Sequence, residues 1–235
     1  MHGQRVVVVG GGSGIGFEVV RQAVARGAQA TAAGRSPDRL AAAAARAPGL
    51  GTFVADVTDP ASLEALFASL GPVDHVYCSA GAFAGGTAAG GDAEAQRRAL
   101  EPRVWGVANL VRAAAGRIRP GGSLTLTGGL SSDRPTAGAW ITAVGTAAAE
   151  QSARVLALEL APIRVNAVSP GWTDTAMWDA VLGEGKAEAF AAVAARLPAG
   201  RIASAADVAD AVLFLMNNRA VTGEVLHVDG GHRLV

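Results

Sequence analysis

The stretch VVVVGGGSGIGFEVV, Val6 to Val20, decides the fold. Four valines in a row describe a strand buried on both faces. Gly10, Gly14 and Gly16 then end the strand and open a helix. Glycines allow a tight turn and let the backbone approach a pyrophosphate, while the helix N-terminus offers free N–H groups and partial positive charge. A glycine pattern alone is a weak signal. Placed between a strand and a helix, it points to a nucleotide site, with Gly10, Gly12, Ser13, Gly14, Ile15 and Gly16 on the phosphate side.

Outward from this turn, short apolar runs alternate with helical patterns. Strands are expected at Arg5–Val9, Gln29–Ala33, Thr52–Ala55, His75–Ser79, Ser123–Thr127, Arg164–Val168 and Glu224–Val228. Helices are expected near Ile15–Arg26, Pro37–Ala47, Pro60–Leu70, Ala93–Arg117, Ala139–Leu160 and Ala206–Asn217. Such alternation gives an α/β fold, a doubly wound parallel sheet of about seven strands with helices on both faces. The 235 residues suit one domain, 1–235, with a substrate lid at about 172–197.

Lys and Arg number 20, Asp and Glu 20, so net charge is zero and no basic block favours nucleic acid. Cys78 is the only cysteine, which excludes a disulfide framework and a cysteine metal cage. No His pair has metal-ligand spacing, so no metal is expected. No apolar run approaches the roughly 20 residues of a membrane span. The chain enters its first strand without a signal pattern, and a cytoplasmic location is the expectation.

Several motifs together resemble the short-chain dehydrogenase/reductase family across essentially the whole chain. The spacing Gly10-x-x-x-Gly14-x-Gly16 is one. "ADVTD" (Ala55–Asp59) is similar to the adenine-contacting segment, implying contacts from Asp56 and Val57. "CSAG" (Cys78–Gly81) stands where the family has Asn-Asn-Ala-Gly, implying contacts from Ser79, Ala80 and Gly81. "IRVNAVSPGWTDT" (Ile163–Thr175) is similar to the segment whose Pro170, Gly171, Thr173 and Thr175 clasp the nicotinamide side. The second strand ends in Gly34, Arg35 and Ser36, without the acid that would hold a ribose 2′-hydroxyl. An arginine pairs with a 2′-phosphate, so NADP(H) is favoured over NAD(H). The resemblance also implies a homotetramer or homodimer built on the two long helices.

One element of the resemblance fails. The family uses an asparagine, a serine, a tyrosine and a lysine to move a proton at the substrate oxygen. Counted from "LALEL", those positions fall on Arg103, Gly129, Thr142 and Thr146. Tyr77, in a strand, is the only tyrosine, and Lys186, in the variable region, is the only lysine. Threonine hydroxyls are poor general acids near pH 7, so proton transfer by a Tyr–Lys pair is excluded. Hydride transfer is not, because the cofactor carries that chemistry.

Three substitutes stand near the site. Arg103 follows Pro102 and is read either as a cation for an anionic substrate or the cofactor ribose, or as the partner of Asp133 or Glu101. Asp133 is read either as an acid of raised pKa or as a turn former, and Ser131 as a substrate contact or a turn serine. Trp172, Met177, Trp178, Leu182 and Phe190 are expected to line an apolar pocket for a small substrate. Two functions stay open: an NADP(H)-dependent oxidoreductase of non-standard mechanism, and an inactive member that binds the cofactor as a sensor or partner subunit.

Overall fold

The computed structural model describes residues 1–81 and 83–235. Its strands are β1 (Arg5–Val9), β2 (Gln29–Gly34), β3 (Gly51–Val54), β4 (Val73–Cys78), β5 (Ile118–Thr127), β6 (Arg164–Pro170), β7 (Thr173–Asp174), β8 (Ala203–Ser204) and β9 (Val225–Val228). Its helices are α1 (Gly14–Ala25), α2 (Pro37–Arg46), α3 (Pro60–Leu70), α4 (Ala93–Ala114), α5 (Trp140–Glu159), α6 (Met177–Leu182), α7 (Lys186–Ala194) and α8 (Ala205–Asn217).

Seven strands form one parallel sheet in the order β3-β2-β1-β4-β5-β6-β9. The valines of β1 show why the strand is apolar throughout. Val7 and Val9 face one core with Leu110 of α4 and Leu66 of α3, while Val6 and Val8 face the other with Val19 of α1 and Val212 of α8. The strand order reverses at β1, which has β2 on one side and β4 on the other. Ligands of open α/β sheets bind at the carboxyl ends of strands at such a switch point. The glycine turn stands there.

Side chains cap most of the long helices. Ser36, Asp59, Asp92 and Ser204 accept backbone N–H groups at the starts of α2, α3, α4 and α8. Satisfying those first-turn donors fixes where each helix begins.

The expected elements are present, and two helices not among them, α6 and α7, form within the segment at 172–197. β4 and β5 begin earlier than the pattern suggested, at Val73 and Ile118. Polar Asp74 and the "RPGG" run break the apolar signal there. The two-residue pair β7–β8 was not foreseen, because two residues carry no periodicity.

Buried His75 makes folding sensitive to acid. Its Nδ1 lies 2.9 Å from Ser123 Oγ, and burial pushes its pKa down from 6.5 to about 4. The unfolded chain takes up the proton near 6.5, whereas the folded chain resists it. The stability this provides is therefore complete above the unfolded pKa and drains away as pH falls toward the folded one. The loss amounts to about 3 kcal/mol. Urea unfolding at pH 7.5 and pH 4.5 measures it. His75→Asn is expected to show a visibly smaller fall than wild type, and parallel falls would refute the assignment.

Candidate functional site

The glycine turn is built by close approach. The N–H groups of Gly10 and Gly11 donate to Ala33 O at 2.8 and 3.1 Å, pinning the turn to β2. Gly10 has φ +92°, and a Cβ on Gly16 would overlap the carbonyl oxygen of Gly10. Only glycine fits either position. Ser79 Oγ donates to Gly10 O at 3.1 Å, so this serine secures the turn from β4.

Ser13 precedes α1 but makes no side-chain cap, so the first N–H groups of that helix stay open. That open, positive helix end fits a pyrophosphate. Thr175 closes it from the far side: a Cβ on Gly14 would lie 3.6 Å from Thr175 Cγ2. Thr173 Oγ1 donates to Gly171 O at 3.0 Å, and Gly171 packs on Asp229, which fixes the strand end at Pro170. The residues after β6 and the glycine turn thus form two sides of one crevice.

At the β2 end, Arg35 is exposed and Ser36 Oγ accepts the Arg39 N–H at 3.3 Å. Arg39, not anticipated from the sequence, flanks the turn: a Cβ on Gly12 would lie 3.3 Å from its Cβ. Its signal was the second arginine in "GRSPDRL", one helical turn after Arg35. Asp56 Oδ1 accepts from the N–H and hydroxyl of Thr58 at 2.9 and 2.8 Å, which orients the carboxylate, and Val57 is buried beside it. These residues fit a dinucleotide.

At the positions counted against the family's catalytic set, Arg103, Gly129, Thr142 and Thr146, the residues make contacts of their own. Arg103 of α4 reaches across the sheet end and donates from Nη1 to Thr127 O at 3.0 Å. It passes between two glycines: a Cβ would lie 2.9 Å from Arg103 Cζ at Gly81 and 2.7 Å from Arg103 Cδ at Gly145. Its Nε is buried without a partner. Neither expected ion pair forms, since Asp133 lies 2.7 Å from His227 Nε2 and the guanidinium bonds to a carbonyl. Burial pulls the Arg103 pKa below its usual value, opposed by Cys78, Tyr77 and Glu150, but an arginine keeps its charge.

Thr142 Oγ1 lies 3.3 Å from Ala84 O, and Thr146 Oγ1 lies 3.0 Å from the carbonyls of Thr142 and Ala143. Both hydroxyls therefore have backbone acceptors. A Cβ on Gly129 would lie 3.0 Å from Thr146 Cγ2, so the glycine at the serine position makes room for the threonine methyl. Glu150, one turn beyond Thr146, accepts from Gly129 N at 3.1 Å and from Ser132 Oγ at 2.7 Å. Its i, i+4 spacing from Thr146 was the available sequence signal. Ser131 sits half-buried in the same turn.

The lone tyrosine and lysine are committed elsewhere. Tyr77 is fully buried with its hydroxyl 2.9 Å from Thr127 Oγ1, and burial drives its pKa far upward. Lys186 holds Asp174 at 2.8 Å and Asp179 at 2.7 Å, and those hydrogen bonds raise its pKa. Over the segment at 172–197, Trp172 stacks on Trp178 at 4.3 Å and Phe190 meets Trp172 edge-on at 6.0 Å. Met177 is exposed and Leu182 half-buried. Among the described residues no cluster of three metal-ligating side chains occurs, and no described helix is long and apolar enough to cross a membrane.

Sheet order, switch point and glycine crevice define a dinucleotide-binding α/β protein. Residues 9–233 match a family model described as Enoyl-(Acyl carrier protein) reductase. The chain is 31% identical to the short-chain dehydrogenase/reductase ATR9 of Stachybotrys chlorohalonatus, over 98% of this chain and 97% of that one. Among solved structures, a small-chain dehydrogenase in complex with NADPH has TM-score 0.84 and 31% identity, covering 99% of this chain and 100% of that one. The MalC Reductase/Diels-Alderase of Malbranchea aurantiaca has TM-score 0.92 and 28% identity, covering 100% and 98%. This chain belongs to the short-chain dehydrogenase/reductase family, a family of oxidoreductases.

Proposed function

We propose that the chain is an NADP(H)-dependent oxidoreductase that passes hydride to a small apolar substrate without the family's Tyr–Lys pair. The observation that carries this reading is the slot of Gly81 and Gly145 filled by Arg103. A decayed site loses side chains at random. Here a cation arrives from α4, its stem passing Gly145 and its guanidinium resting on Gly81, the glycine of the CSAG segment.

The residues act as follows. The open N-terminus of α1 binds the pyrophosphate, and Arg35 with Arg39 binds the 2′-phosphate. Asp56 and Val57 meet the adenine, and Pro170, Gly171, Thr173 and Thr175 hold the nicotinamide side. Ser131 and Asp133 stand at the rim of the site. A bound reduced nicotinamide supplies the hydride. Arg103 supplies the positive charge that a lysine would supply, and it stabilises negative charge developing on the substrate. Trp172, Trp178 and Phe190, on a lid at 172–197, exclude water. Activated alkenes fit this set, because hydride addition to them builds enolate charge that the Arg103 guanidinium stabilises and that water then protonates. The neighbour from Malbranchea aurantiaca is itself named a Reductase/Diels-Alderase.

The second reading, a cofactor-binding member without turnover, draws support from the two threonine hydroxyls facing backbone acceptors. A panel of ketones, imines and activated alkenes, assayed for NADPH oxidation, separates the two. NADPH oxidation with activated alkenes supports the enzyme. A silent panel with tight NADPH binding supports the second reading.

Cofactor preference has its own test. Arg35→Ala is expected to weaken NADPH about tenfold and leave NADH unchanged, by the loss of one charge-assisted pair. Equal affinity for both cofactors in wild type and variant would overturn the 2′-phosphate assignment. For assembly, a homodimer or homotetramer through α4 and α5 is supported by Trp105, 65% exposed, and Leu158, 82% exposed, on those helices.

A further inference from the structure

The sheet carries a second polar cleft at its opposite, N-terminal edge, far along the strands from the glycine turn. It has a volume of about 320 Å³ and is lined by Gln4, Asp74, His75, Asn217 and Arg219, among others. A mismatch between strands opens it. From the pair Val73↔Ile118 to the pair His75↔Ser123, β4 advances two residues and β5 five. The surplus residues include Gly121, at φ +80°, which lines the cleft.

Two buried polar atoms on this lining lack partners, His75 Nε2 and Gln4 Oε1. His75 is only 3% exposed, so the omission is costly. Hydrogen accounting fixes its tautomer. Ser123 Oγ has His75 Nδ1 as its one side-chain partner, at 2.9 Å. If the serine donates, one proton is left over, on Nε2. If Nδ1 donates, both the serine proton and the Nε2 lone pair are orphaned. The first arrangement wins, and Nε2–H is a donor. The Gln4 amide reverses by rotation and presents its NH₂ end equally well.

The charges around the cleft are mostly positive. Arg219 is exposed and forms no ion pair among the described residues. Arg164, close enough to influence His75, is buried and bonds only to the carbonyls of Leu215, Met216 and Val221. Asp74 opposes them, but its Oδ2 already accepts from Arg5 N at 2.7 Å and Arg119 Nη1 at 2.9 Å. A water molecule satisfies an orphan atom and leaves that charge unbalanced. An anion does both.

We propose that this cleft binds a small oxyanion, a carboxylate or phosphate group, between His75 Nε2–H, the Arg219 guanidinium and the Gln4 amide. None of these residues touches the cofactor crevice, and the proposal stands independently of the hydride-transfer reading.

Calorimetric titration of the whole protein with inorganic phosphate and with acetate, at fixed ionic strength set by chloride, tests it. Histidine-labelled spectra follow the His75 Nε2 signal in parallel. Saturable binding with a Kd of about 1 mM or below is expected for one anion. The His75 signal should shift, and Arg219→Ala or Gln4→Met should weaken binding about tenfold or more while leaving NADPH affinity unchanged. Tighter phosphate binding assigns a phosphate ligand, and tighter acetate binding a carboxylate. No saturation with either anion, an unmoved His75 signal, or full binding in both variants would overturn the proposal and leave water as the occupant.

Discussion

Arg103→Met is expected to fold at least as well as the wild type and to lose turnover by about a hundredfold or more. Both halves follow from the same geometry. The arginine stem passes Gly145 and its guanidinium rests on Gly81, with one bond to Thr127 O, one orphaned Nε and no carboxylate partner. A buried cation so placed is a burden on folding. A flexible apolar side chain of similar length fills the slot without the desolvation cost, so thermal unfolding of the variant should match or exceed wild type. Function is the opposite case. The guanidinium, beside Gly81 and the Thr127 carbonyl, is the positive group on which the proposed reaction relies. Removing a preorganised charge from a site that must stabilise developing negative charge typically costs about two to three orders of magnitude in rate. Melting temperature and single-turnover NADPH oxidation together check this. A variant that unfolds early while keeping its rate would show that Arg103 serves structure alone.

Gly14→Asp is expected to weaken NADPH about a hundredfold with little change in stability. Gly14 has φ +54°, a region that aspartate tolerates better than most residues, and the nearest heavy atoms lie 3.6 and 3.7 Å from where its Cβ would stand. A carboxylate at a helix N-terminus is favourable for the helix. The same carboxylate would occupy the pyrophosphate position and repel it. Calorimetric titration with NADPH reads the affinity, and unchanged binding would move the phosphate site away from α1.

The fold was legible because its signals are local. The valines of β1 announce a strand buried on both sides, and Gly10, Gly14 and Gly16 announce the turn. The placement of Ser79, Asp56 and the Pro170–Thr175 segment at the carboxyl ends of strands was legible, since each stands at or just after a strand end. Three features were hidden. Arg39 approaches Gly12 only once α2 folds back on the turn, which spacing alone does not show. Glu150 reads as one more residue on a long helix until its carboxylate is found on the Gly129 N–H. The two partners proposed for Arg103 were wrong because the sequence does not reveal the slot. Gly81 and Gly145 lie 64 positions apart and meet only across the sheet end. The inventory of one tyrosine, Tyr77, and one lysine, Lys186, was legible in the sequence, whereas the path of Arg103 past Gly145 to Gly81 required three dimensions.

On the function proposed above, this family member keeps a working NADP(H) site while lacking the family's proton-transfer pair. Titration of wild-type protein with NADPH and with NADH, followed by tryptophan fluorescence and calorimetry, tests it most directly. One saturable site for NADPH is expected, with a Kd of about 10 μM or tighter and at least about tenfold weaker binding of NADH. No saturation by either cofactor up to about millimolar concentration would contradict it.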